Sequence, residues 1–198
     1  MQCAPQNIAT ATDLNDGAAT AALRIYEHIR LAYSASLPGK PVHKGGNKRD
    51  ENCHCKRPRR FELKEFIKEH LSAKTPESAK NLEIIDLGTD SEESVDYPLY
   101  GKLCGETVAS GKADLGIVLC GTGIGISIAA NKVRGIRCGL CTSVEMARLT
   151  KQHNNANILA LGGRTTKPEL AAQIVDAWLD AEFEGGRHQR RVDMLDNM

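Results

Sequence analysis

The sequence predicts an α/β fold: a doubly wound parallel sheet in three layers, preceded by an irregular N-terminal extension. Two observations carry this. Beyond Phe61, short apolar runs alternate with segments of helical period as far as the C-terminus. One of those runs, Leu115 to Cys120, is continuously apolar and bounded by glycine, as a parallel strand buried on both faces should be.

The elements follow in order. In the extension, Ala22, Ile25, Ile29 and Tyr33 recur at helical spacing, which predicts a helix over Ala18 to Tyr33. Ser34 to Arg60 is rich in proline, glycine and charge and reads as a linker or disordered segment. Its basic run, Lys56 to Arg60, reads as a solvated tail, with an anion or nucleic-acid contact as the weaker reading. The chain thus divides into a divergent extension, 1–60, and a folded domain, 61–198. In that domain Phe61 to Leu71 places Leu63, Phe66, Ile67 and Leu71 on one side of a helix. Leu82 to Leu87 is a short strand, and Tyr97 to Ser110 is a helix ended by Gly111. The Leu115 strand is followed by a helix over Ile124 to Val133 and a strand over Ile136 to Cys141. Ser143 caps the next helix, through Lys151, with Met146 and Leu149 expected to face inward. Asn157 to Leu161 is the last strand, and Pro168 opens a helix that runs to Leu179.

Composition narrows the function. Of 198 residues, 41% are hydrophobic, so a real core can form. A net charge of +1 argues against nucleic acid or a membrane surface as partner. No apolar run approaches the roughly 20 residues of a spanning helix, and Met1 to Thr10 lacks the apolar core of a signal peptide. The seven cysteines are odd in number and several lie in apolar runs, which favours reduced thiols in a cytoplasmic setting. Cys53-His54-Cys55 lacks the spacing of structural zinc ligands, so no metal is expected.

Three clusters carry chemistry. The first is Cys120-Gly121-Thr122-Gly123-Ile124-Gly125, between a buried strand and a helix. Its spacing is neither the dinucleotide fingerprint nor a P-loop, but backbone N–H groups freed by glycine suit an oxyanion or phosphate. A helix N-terminus also favours the thiolate of a cysteine placed beside it, and a thiolate there could take a proton from a carbon next to a carbonyl. The competing reading is an apolar cysteine that merely ends a core strand. The second cluster is Gln152-His153-Asn154, on a helix-to-strand connection that could equally be a surface turn. The third is Gly185 to Arg191. There Arg187 and Arg191 would share one helix face, and guanidinium groups grip phosphate in a forked geometry; the competing reading is a basic helix in solvent. Arg164, after Gly162-Gly163, is a further candidate anion ligand by the same chemistry.

Asp96-Tyr97-Pro98, Cys120 to Lys132, Gln152 to Asn154, Gly162 to Arg164 and Glu184 to Gln189 together resemble the type B ribose-5-phosphate isomerases. That family includes the galactose-6-phosphate isomerase subunits. The match covers about Phe61 to the C-terminus and implies a Rossmann-like fold. It implies an aldose–ketose isomerase that interconverts ribose 5-phosphate and ribulose 5-phosphate in the pentose phosphate pathway. Cys120 would shuttle the proton through a cis-enediol. Thr122 and the backbone of Gly121, Gly123 and Gly125 would hold the enediolate. His153 would assist ring opening, Asn154 would bind substrate, and Tyr97 would line the pocket. Arg187 and Arg191, with Arg164, would hold the phosphate. The resemblance implies no metal or other cofactor, a cytoplasmic location, and homodimers that share active sites or pair into tetramers.

The resemblance also defines a gap. The family opens with a hydrophobic strand and an Asp-His pair shortly before the counterpart of Phe61; here Arg57 and Pro58 stand in the pair's place. The first strand is therefore expected to be missing. Three readings stand open: a mis-predicted or alternatively spliced exon fused to an isomerase body, another part of the extension filling the gap, a job for which Asn7 to Thr12 is short and weak, or a non-catalytic relative that binds sugar phosphate. A six-carbon substrate is a further alternative.

Overall fold

In the computed structural model, residues 30–34, 59–74, 82–88 and 96–198 are described. The expected helix before residue 30, Asn7 to Thr12 and the Cys53-His54-Cys55 run lie outside them. Among the described residues five parallel strands form one sheet in the order β2-β1-β3-β5-β4. They are β1 (Arg30–Ser34), β2 (Glu83–Asp86), β3 (Leu115–Cys120), β4 (Cys138–Leu140) and β5 (Ile158–Gly162). The helices are α1 (Arg59–Lys74), α2 (Tyr97–Ala109), α3 (Ile124–Ala130), α4 (Val144–Asn154), α5 (Pro168–Leu179) and α6 (Arg187–Asp196).

The strand expected to be missing is present. It is Arg30–Ser34, drawn from the segment before Phe61, and it lies between β2 and β3 with Leu31 opposite both Ile84 and Leu115. This corrects two expectations, the gap in the sheet and the helix running to Tyr33. The reason is burial on both faces: Leu31 and Ala32 are each fully buried, Leu31 in one core and Ala32 in the other. A central parallel strand gains from two apolar layers what a lone amphipathic helix gains from one.

Alternation along the strands makes the two cores. Ile117, Leu119, Leu159 and Leu161 face α1, α4 and α5, where Leu63, Ile67, Ala147, Ile174 and Trp178 complete one layer. Val118, Cys120, Ile158 and Ala160 face α2 and α3, where Tyr100, Cys104 and Ile126 complete the other. The α2–α3 contact depends on missing side chains: a Cβ on Gly101 would stand 2.7 Å from the Ile126 carbonyl oxygen. The buried Lys64 of α1 keeps its charge paired, with Nζ 2.8 Å from Asp86 Oδ2 at the end of β2. The inward residue of α4 is Ala147, whereas Met146 and Leu149, expected inward, are exposed. No described helix is long and apolar enough to cross a membrane.

The chain winds from β1 outward to β2 and then crosses to β3 on the other side of β1. The β1/β3 junction is therefore the switch point, where doubly wound sheets form a crevice beyond their carboxyl ends. Ser34 pairs with Val118, so Cys120 extends two residues further into that crevice.

Candidate active site

Cys120 ends β3 almost buried, and the chain then turns sharply into α3. Gly123, the residue before α3, has φ +78°, which only glycine adopts without strain. That turn points its N–H at the sulfur: Gly123 N donates to Cys120 Sγ at 3.2 Å. The other described cysteines differ. Cys104 and Cys141 donate weakly to carbonyls, and burial pushes their thiols up to about 12 and about 11. Burial, with Cys104 and Cys141 nearby, pushes the Cys138 thiol up as well. Among the described residues, Cys120 is the cysteine whose sulfur accepts a backbone hydrogen bond, the arrangement a thiolate needs.

The rest of the loop is built around that turn. The Oγ1 of Thr122 accepts from Ile124 N at 3.4 Å. Arg164 follows β5, the neighbour of β3, and its N–H donates to the Gly121 carbonyl at 2.9 Å. Its guanidinium lies on Gly121, where a Cβ would stand 2.7 Å from Nε. The Tyr97 ring covers Gly125 in the same way, its Cε2 2.5 Å from where a Cβ would be. Six of the expected site residues other than Cys120 (Thr122, Gly121, Gly123, Gly125, Arg164 and Tyr97) thus gather with it at the carboxyl end of the sheet.

Changing Gly123 to alanine should damage both fold and site. The left-handed backbone costs a side chain about 1–2 kcal/mol. The new Cβ would also meet Leu140 Cδ1 at 2.5 Å and the Leu161 carbonyl carbon at 2.9 Å. We expect a loss of about 2 kcal/mol, a fall in melting temperature of about 4–8 °C by thermal denaturation.

The remaining candidates sit elsewhere. The helix α4 leaves the carboxyl end of β4 and runs back for 11 residues, about 16 Å, so its last turn carries His153 and Asn154 to the amino end of the sheet. There α6 packs beside it. Glu184 N donates to Gln152 O at 3.0 Å, and the His153 and His188 rings stack with centroids 4.2 Å apart and planes 3° from parallel. Glu184 Oε2 stands 3.7 Å from Nε2 of each ring. Arg187 Nε donates to His188 Nε2 at 3.3 Å, and Arg191 follows one turn later. One chain therefore does not bring His153, Asn154, Arg187 and Arg191 to Cys120; it presents two half-sites at opposite ends of the sheet.

Sequence alone assigns no role to His188 or Glu184, because nothing in it shows a ring stacked on a residue 35 positions earlier. The donor atoms of His153, Glu184 and His188 lie within 4.8 Å of one another, as metal ligands could. Parallel rings, however, cannot direct their in-plane lone pairs at one ion without tilting, and the Arg187 N–H already occupies His188 Nε2. With Arg187 and Arg191 beside it, the cluster suits an anion better than a cation.

Burial, then the neighbouring His153 and Arg187, hold the His188 pKa below the ordinary histidine value, with Glu184 opposing them. The unfolded chain then takes up this proton first as pH falls. The stabilising contribution is complete above the unfolded pKa of about 6.5 and is lost below it. We expect the melting temperature to drop between about pH 7 and about pH 5, and His188→Gln to flatten that drop.

A doubly wound α/β protein with a hydrogen-bonded cysteine at its switch point, a glycine cradle beside it and an arginine-rich second face defines a class: enzymes that hold a small phosphorylated substrate and move a proton on it. Comparison with known proteins gives the family. The chain belongs to the Ribose/Galactose Isomerase family, whose profile matches residues 58–195. It is 50% identical to ribose-5-phosphate isomerase B of Escherichia coli over 135 residues, 68% of this chain and 87% of that protein. It is 42% identical to the galactose-6-phosphate isomerase subunit LacB of Clostridium acetobutylicum over 131 residues, 66% of this chain and 72% of that one. The solved ribose-5-phosphate isomerase B of Mycoplasma genitalium with bound ribulose 5-phosphate superposes with a TM-score of 0.68 at 34% identity, covering 85% of this chain and 95% of that one.

Proposed function

We propose that this protein interconverts ribose 5-phosphate and ribulose 5-phosphate by proton transfer through a cis-enediol. The observation that carries the reading is Cys120 at the switch point, its sulfur accepting from Gly123 N. In the forward direction His153 assists opening of the sugar ring. The Cys120 thiolate then takes the C2 proton, and the C2–H electrons pass into an enediolate. The loop N–H groups of Gly121, Gly123 and Gly125, with Thr122, hold its negative oxygen. The thiol returns the proton to C1 while the C2 hydroxyl proton passes to the C1 oxygen, which completes the ketose with no net redox change. Asn154 and Tyr97 contact the sugar. Arg187 and Arg191, assisted by Arg164, hold the phosphate by forked hydrogen bonds. This chemistry asks for no metal or cofactor, and its setting is the cytoplasm.

The reaction requires both half-sites, so the working unit is a homodimer in which each site takes its Cys120 half from one protomer and its His153 half from the other. Exposed apolar residues beside the Cys120 half support this: Leu99 and Leu103 on α2, and Ile124 and Ile128 on α3. Pairing of dimers would give the tetramer. Domain 61–198 carries every proposed site residue, and the extension contributes β1.

The test is formation of ribulose 5-phosphate from ribose 5-phosphate by the purified full chain. Turnover supports the reading. A folded chain without turnover would instead make it a sugar-phosphate-binding relative, the reading that Arg57 and Pro58 favour. The likeness to LacB supports a second arm with galactose 6-phosphate, and faster turnover there would make the protein a six-carbon isomerase.

A further inference from the structure

One side chain ties together the pieces of the His153 half-site. Arg137 lies just before β4, and its side chain is 17% exposed. Its Nε donates to the Asn154 and Asn155 carbonyls, both at 3.1 Å, at the end of α4. Its Nη1 donates to Asp196 Oδ1 at 2.7 Å and Oδ2 at 2.9 Å, on the last residue of α6. The base of the side chain is itself held. Asn157 Oδ1 accepts from Arg137 N at 2.8 Å, while Asn157 Nδ2 donates to Gly135 O at 2.8 Å. A planar guanidinium can span two helix ends in this way, and a cation there also suits the carbonyl end of α4.

We infer that Arg137 is a positioning residue for the phosphate-holding face. It fastens the end of α4, which carries His153 and Asn154, to α6, which carries Arg187 and Arg191. The buried Val192 and His188 hold one side of α6 in place. The Asp196 bond fixes its far end and so the angle at which the two arginines are presented. Small errors in such angles are costly, because forked hydrogen bonds weaken steeply off axis. The inference rests on the isomerase reading only for its kinetic readout.

The experiment compares Asp196→Asn, Arg137→Lys and Arg137→Ala with the parent chain. It uses ribose 5-phosphate kinetics and calorimetric binding of inorganic phosphate. Asp196 is half-exposed near the chain end, so its variant tests the tie without emptying the core. With Asp196→Asn we expect KM and the phosphate dissociation constant to rise about fivefold or more, with kcat within about twofold, the pattern of lost uniform binding. Arg137→Ala should raise KM equally and also lower kcat about tenfold, because the backbone beside His153 loses its anchor. Arg137→Lys keeps the charge but not the fork and should follow Arg137→Ala. Parent-like KM and phosphate affinity in Asp196→Asn would overturn the inference, as would full recovery in Arg137→Lys. A parent chain that binds phosphate without turnover, and loses that binding in Asp196→Asn, would sink the isomerase reading and keep this one.

Discussion

Replacing Cys120 with alanine should abolish ribose 5-phosphate turnover and leave the fold in place. Removing the base from a proton-transfer enzyme costs about a hundredfold to ten-thousandfold in kcat. Substrate binding should change little, because in the proposed mechanism Arg164, Arg187 and Arg191 hold the phosphate. The structural cost is small. One buried sulfur is removed from the end of β3, worth about 1 kcal/mol by area, and the strand pairing of Cys120 with Gly162 is made by backbone alone. The comparison that makes the result specific is Cys138→Ala. That thiol is pushed up by burial, as a base should not be, and its loss should leave turnover near the parent's. Steady-state kinetics with thermal denaturation on both variants decides it. An active Cys120→Ala chain would remove the proton-transfer role and return Cys120 to a core residue.

Much of this architecture could be read along the chain. Pro168 to Leu179 is the α5 helix residue for residue, because proline fixes its start and a strong apolar face fixes the rest. The run from Leu115 to Cys120 is β3, because only a strand buried on both faces is apolar throughout and stops at glycine. The limits have physical causes too. Five residues, Arg30–Ser34, are too few to show a period, and Ile29 and Tyr33 continue a helical spacing into them. Only β2 and β3 on either side select the extended form. Met146 and Leu149 mislead for a related reason. The face of α4 that meets α5 uses Ala147 for close approach and the stem of Lys151, whose ammonium lies 5.5 Å from the Trp178 ring. Size, not hydrophobicity, chooses that face. In the candidate site, the motifs name the chemistry but not its location. The proposed reaction needs both Cys120 and His153, yet the strand direction of β3 and the return of α4 carry them to opposite ends of the sheet.

That separation makes the strongest demand on the quaternary structure, because two inactive chains should repair each other. In the proposed mechanism Cys120→Ala lacks the base and His153→Ala lacks the ring-opening group, so each alone should be inactive. In a twofold-symmetric dimer with shared sites, a mixed pair contains one site with both defects and one site with neither. Random re-pairing makes half of all dimers mixed and restores about a quarter of the parent's sites. Activity should therefore climb from background to about 25% of the parent's when the two chains are unfolded together and refolded, and stay at background when either is refolded alone. The same mixing with Cys120→Ala and Thr122→Ala, both in one half-site, should restore nothing. If the Cys120 and His153 chains also fail to complement while both remain dimeric, each protomer must complete its own site. The 11-residue path of α4 would then have to bend back toward Cys120 in the active form. The outcome thus tests the geometry and the chemistry together, since no rearrangement within one folded chain can produce activity only in the mixture.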